Sequence, residues 1–186
     1  LDLVTAWKHV SPQGWKLIIC GPDDRGHLEE VRTAAITAGL IESLEFKEPA
    51  YGEAKDGLLR DTDLFLLPSF SENYSNSVAE ALAYGIPVIT TRGTPWSEIQ
   101  AHRCGWWVEI GVPSLTAALR EATCASPEAL AEMGSRGRTL MLSKPNWPKV
   151  AEMMTGVYKW ILGIGPRPGF VQLTEQNDQS EPASAC

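Results

Sequence analysis

Long apolar runs are missing from this 186-residue sequence. None approaches the roughly 18 consecutive apolar residues of a membrane span, and no signal-peptide pattern opens the chain, so no integral membrane segment is expected. Positive charge is scarce: 16 Lys and Arg stand against 23 Asp and Glu, a net charge of -7. Such a balance argues against a nucleic-acid or anionic-membrane surface. Cysteine is limited to Cys20, Cys104, Cys124 and Cys186. No two form a Cys-x-x-Cys pair and no histidine sits at ligand spacing beside them. This speaks against a structural zinc and for free thiols in a reducing cytosol. Cys20, at the end of an apolar run, is expected in the core. No internal repeat is visible.

What remains is an ordinary globular composition, 44% hydrophobic and 21% charged, sufficient for one α/β domain with a real core. Residue 1 is Leu and opens straight into a helical pattern over 1–10, so a piece of a longer protein is expected. Apolar runs at 15–20, 44–46, 63–67, 87–91 and 106–108 read as short buried strands. Helical patterns fall at 28–38, 51–60, 75–84, 114–122, 127–142 and 147–161, with Gly39 and Gly85 as stops. Trp147, Tyr158 and Trp160 are expected to anchor the last helix to the core. Beyond residue 162 the composition turns to Gly, Pro, Gln, Ser and Glu, the pattern of a mobile tail over 163–186. Alternating strands and helices imply a Rossmann-like parallel sheet sandwiched between helices, with right-handed crossovers. Such sheets bind ligands beyond the strand carboxyl ends, here the loops 21–26, 46–52, 68–74 and 92–97.

The stretch from Pro68 to Ile89 carries the chemistry. Glu72 stands before a helix and Glu80 lies eight residues on, about two turns along it. A carboxylate accepts hydrogen bonds from two neighbouring hydroxyls, which suits it to sugars. The unpaired N–H groups of the helix's first turn and its dipole suit a diphosphate. Ser75, Asn76 and Ser77 add small polar groups there, and Asn73 or Ser75 is the expected N-cap. Lys47, Lys55 and Arg92 lie on the right loops to meet a phosphate or a base, although a lysine or arginine so placed is more often a solvated surface charge. Trp96 reads as either a cleft wall or a packing residue.

Glu72-x7-Glu80, framed by Pro-Ser-x-x-Glu, Glu-Ala-Leu-Ala-x-Gly and Pro-Val-Ile, resembles the signature of retaining glycosyltransferases with the GT-B fold, family 4 in particular. The likeness extends over residues 1–161. It implies the C-terminal, donor-binding half of that fold over residues 1–162, with its first strand and the other domain preceding residue 1. By position, Glu72 would be the catalytic residue that meets the donor sugar, and Glu80 would hold the ribose. Gly21, Asn73, Tyr74, Ser75, Asn76, Ser77 and Lys47 would complete the donor site. Some positions depart from the pattern. Gly93 alone remains of a Gly-Gly-x-x-Glu loop, Lys47-Glu48 replaces a glycine, and Asn73-Tyr74-Ser75 replaces Gly-Phe-Gly.

The resemblance implies transfer of a hexose from a UDP- or GDP-sugar to a glycan acceptor, without metal or other cofactor. The acceptor would be met through the N-terminal domain. The Thr94-Pro95-Trp96 subtype points to bacterial cell-surface polysaccharide, such as lipopolysaccharide, made in the cytoplasm with a peripheral inner-membrane location. The isolated chain is expected to be inactive, because the cations that neutralise the diphosphate would precede residue 1. A non-catalytic nucleotide- or glycan-binding module of the same fold is the alternative.

Overall fold

The structure is a computed structural model and describes residues 1–23 and 26–173. Asp24 and Arg25, in the first expected ligand loop, and residues 174–186 with Cys186 lie outside the described residues. The chain divides into two compact units, Leu1–Ser143 and Lys144–Cys186.

The first unit alternates helix and strand: α1 Asp2–Val10, β1 Leu17–Cys20, α2 His27–Thr37, β2 Leu44–Lys47, α3 Gly52–Arg60, β3 Phe65–Leu67, α4 Asn76–Ala83, β4 Val88–Thr91, α5 Glu98–Ala101, β5 Gly105–Val108, α6 Val112–Cys124 and α7 Pro127–Ser143. Every pairing is parallel. β1 runs beside β2 with Leu17 opposite Leu44, and β3, β4 and β5 pair in that order with Phe65 opposite Val88 and Val88 opposite Gly105. β4, flanked on both sides, buries all four of its residues.

Successive strand residues point to opposite faces, and both faces are covered. On one face Ile89 joins Leu17 and Leu44 beneath Val4, Ala6 and Trp7 of α1, Ala35 of α2 and Leu115, Leu119 and Ala122 of α6. On the other face Val88 packs with Leu59 of α3, Val78, Ala81 and Leu82 of α4, Ile99 of α5 and Leu140 of α7. The α/β sandwich expected from the sequence is therefore present. Among the described residues the strands nevertheless form two hydrogen-bonded sheets, not one, and β1 and β3 each have a single strand neighbour. Side-chain packing over α1 and α6 joins the sheets in a common core, where backbone hydrogen bonds do not.

One local expectation is corrected, and two elements add detail that the sequence did not show. Cys20 is exposed and not in the core, because only Leu17 of β1 is buried and Cys20 Sγ instead lies 3.2 Å from the Glu48 carbonyl. α5 has four residues, too few to show a helical period. β5 uses both faces: Trp106 packs with the first core and Trp107 with the second.

In the second unit, α8 (Trp147–Ile161) starts where the Asn146 side chain accepts from the Lys149 N–H at 3.0 Å, an N-cap followed by proline. The helix buries none of its residues. Trp147 is 85% exposed and Tyr158 59%, so the burial expected of these aromatics is not met. Of the stretch expected as tail, residues 163–173 include a turn closed by the Val171 N–H on the Pro168 carbonyl at 3.0 Å.

Candidate functional site

β3 ends at Leu67, and the chain must then turn without ladder partners for its backbone groups. The end of β4 and the loop after it supply them. Thr90 Oγ1 donates to the Leu67 carbonyl at 2.8 Å, Thr91 Oγ1 donates to the Ser69 carbonyl, and Thr94 Oγ1 donates to the Thr91 carbonyl at 2.9 Å. The Glu72 N–H donates to the Gly93 carbonyl at 2.8 Å. Trp96, 1% exposed, donates its indole N–H to the Tyr74 carbonyl at 2.5 Å. Thus Trp96 packs and holds the loop. Gly93 lies so close that a Cβ there would sit 2.4 Å from the Phe70 carbonyl oxygen.

This stitching fixes the backbone that presents Glu72. The carboxylate is exposed and accepts from Ser69 Oγ at 2.9 Å. Asn73 and Tyr74 are exposed beside it, and the Tyr74 ring leans on Trp96 with centroids 5.2 Å apart. Ser75 then enters α4 in a left-handed conformation (φ 63°, ψ 76°). Its side chain makes no capping bond, contrary to the expected role. Ser75 is 7% exposed, and its Oγ is buried without a hydrogen-bond partner. An orphaned buried hydroxyl is costly, and a left-handed non-glycine residue adds strain of a kind concentrated at ligand sites. The first internal bonds of α4 run from Val78 and Ala79 N–H to the Ser75 carbonyl. The N–H groups of Asn76 and Ser77 precede them, at the helix's positive end.

Glu80 lies on the flank of α4, and its Oε1 accepts from Lys55 Nζ of α3 at 2.8 Å. That hydrogen bond raises the Lys55 pKa above its ordinary value. One turn along α4, a hydrogen bond with Asp56, the residue after Lys55, likewise raises the Tyr84 pKa. The Lys55 pairing is invisible in the sequence. The only signal is a basic residue on a loop-proximal helix, and that is common on any surface.

The remaining candidates gather elsewhere. Gly21 and Lys47 line a cavity of about 240 Å³ between the ends of β1 and β2, together with Pro22, Leu28, Arg32 and Phe46. Its wall is set by the Arg32 guanidinium, 4.6 Å over the Phe46 ring. Lys47 Nζ lies 3.7 Å from Glu45. Neither Glu72, Glu80 nor any of residues 73–77 lines this cavity. The structure therefore sorts the candidates into two places: Glu72 to Glu80 around α4, and Gly21 with Lys47 at the β1–β2 end. Arg92 is committed to Glu109 at 3.0 Å and to the Trp107 ring at 4.9 Å.

One carboxylate before a helix and one on it, a strained and orphaned serine between them, and a parallel α/β frame stand together with a sequence match. Residues 1–124 match glycosyl transferases group 1. The chain belongs to this family. Among curated relatives of this group 1 chain, the GDP-mannose:cellobiosyl-diphosphopolyprenol alpha-mannosyltransferase of Komagataeibacter xylinus is 24% identical over 153 residues, which is 81% of this chain and 38% of the relative. The chain thus spans well under half the length of that enzyme. Among solved structures, Anabaena Alr3699/HepE in complex with UDP superposes with a TM-score of 0.73 at 16% identity, covering 86% of this chain and 44% of the other. The C-terminal domain of the group 1 protein LpcC from Francisella tularensis gives a TM-score of 0.65 at 19% identity, covering 77% of each chain. At such identities these superpositions establish the fold. Among the described residues of this group 1 chain, no helix is long and apolar enough to cross a membrane.

Proposed function

We propose that this group 1 chain is the nucleotide-sugar donor-binding half of a retaining GT-B glycosyltransferase of family 4. The observation that carries the reading is Ser75: a buried hydroxyl without a partner, in strained backbone, at the positive end of the helix that follows Glu72 and bears Glu80. A diphosphate oxygen would give that hydroxyl and the Asn76 and Ser77 N–H groups their missing acceptor. Glu72 would then face the sugar as the catalytic residue, and Glu80 the ribose. Asn73 and Tyr74 would border the sugar, while Gly21 and Lys47 would reach the donor from the second cluster.

The helix dipole and fixed N–H groups would stabilise the leaving diphosphate electrostatically, without a metal or other cofactor. The mannosyltransferase relative and the UDP-bound fold neighbour support a hexose carried on GDP or UDP. Because the chain spans 38% of that relative, we assign transfer, and contact with a glycan acceptor, to a longer protein. We further propose synthesis of bacterial cell-surface polysaccharide such as lipopolysaccharide, on the cytoplasmic side, from the Thr94-Pro95-Trp96 subtype.

Calorimetry with UDP-, GDP- and ADP-sugars tests the reading. One class should bind, and Glu80→Ala should weaken it by about tenfold or more, the worth of a lost charge-assisted hydrogen bond. Glu72→Ala should weaken the nucleotide sugar while sparing the free nucleoside diphosphate. Absence of binding to all three classes, or binding indifferent to Glu80→Ala, overturns it.

A further inference from the structure

The Lys55–Glu80 pair has an importance beyond a surface ion pair. Lys55 and Glu80 are 38% and 42% exposed, and a single pair so exposed contributes little to stability. The bond from Lys55 Nζ to Glu80 Oε1 at 2.8 Å nevertheless ties α3 to α4 on this side. α3 is a poor helix by itself, nine residues with glycine at 52 and 57, so its register against α4 depends on tertiary contacts. A free glutamate side chain samples several rotamers. One that accepts from an ammonium at 2.8 Å is biased toward those that keep the contact.

We infer that Lys55 is a positioning residue for Glu80. From α3 it occupies Oε1 and holds the carboxylate in one orientation, leaving its remaining acceptor sites to the hydroxyl pair of a donor ribose. A carboxylate offers about four such sites on two oxygens, so one ammonium does not saturate it. The inference rests on the donor-site reading above. It predicts a contact specific to ribose hydroxyls, whereas a lysine that touched the diphosphate or base would act on any nucleotide.

The experiment uses UDP, GDP and their 2′,3′-dideoxy counterparts as calorimetric probes of the full chain. Lys55→Met should weaken the ribonucleotide by about three- to tenfold, in the lower part of the range for directly coupled side chains, and leave the dideoxy compound unchanged. Lys55→Arg should bind like the parent. In a Glu80→Gln background, Lys55→Met should add no further loss. Far-UV circular dichroism melting confirms that each variant is folded. Equal weakening of the ribo and dideoxy compounds, or no weakening by Lys55→Met while Glu80→Gln abolishes ribose preference, overturns the positioning role and leaves the donor site standing. If Glu80→Gln keeps ribose preference, or the parent chain binds none of the four probes, the donor-site reading falls and the positioning role with it.

Discussion

Single side chains in this molecule differ in ways their types do not announce. Three cysteines lie among the described residues, and two of them, Cys20 and Cys124, are exposed. Cys104 is 0% exposed beneath α4, α5 and α7. Burial pushes its thiol up from 9.0 to about 11, since the apolar surroundings disfavour the thiolate. Iodoacetamide at pH 8 should therefore modify Cys20 and Cys124 and spare Cys104 until denaturant opens the core, as peptide mass spectrometry would show. The sign of the linked stability follows. Between pH 9 and about 11 the unfolded chain loses this proton while the folded chain keeps it. The contribution of Cys104 is thus whole below pH 9 and lost as the pH rises towards 11. Urea midpoints across that window should fall less for Cys104→Ala than for the parent.

Among the elements, two glycines mark where backbones meet. A Cβ on Gly134 of α7 would lie 1.8 Å from the carbonyl oxygen of Gly85, at the end of α4. That approach explains why a long helix tolerates glycine, which costs about 1 kcal/mol against alanine in an isolated helix. Gly134→Ala should cost about 2–3 kcal/mol, the scale of overpacking in a rigid interior, read as a lower urea midpoint with unchanged slope. Gly93→Ala strikes the site as well. Its Cβ would push on the Ser69–Phe70 backbone and strain the Glu72 N–H bond to Gly93. It should lower affinity for the nucleotide sugar that binds the parent by more than its effect on melting accounts for.

At the scale of the whole molecule, the split into two sheets matters for solution behaviour. β3 is Phe65-Leu66-Leu67, half-buried and paired on one edge only, and β1 is likewise paired only with β2. Unpaired apolar strand edges template association. The chain should self-associate as its concentration rises, with a weight-average mass in sedimentation equilibrium above the 20.3 kDa monomer. A monomer across the accessible range would show that these edges are shielded.

The strand and helix pattern was legible before any coordinates, because hydrophobic period and glycine stops act over neighbouring residues. The placing of Glu72 before α4 and Glu80 on it was legible for the same reason. What spans distance was not. That Lys55 meets Glu80, that Gly93 lies against Phe70 and that Ser75 is buried without a partner all depend on how α3, the loop after β4 and α4 come together. Cys20 and the α8 aromatics show the converse: apolar neighbours in sequence set a tendency to be buried, and only the packing of other elements over a face decides whether it is covered.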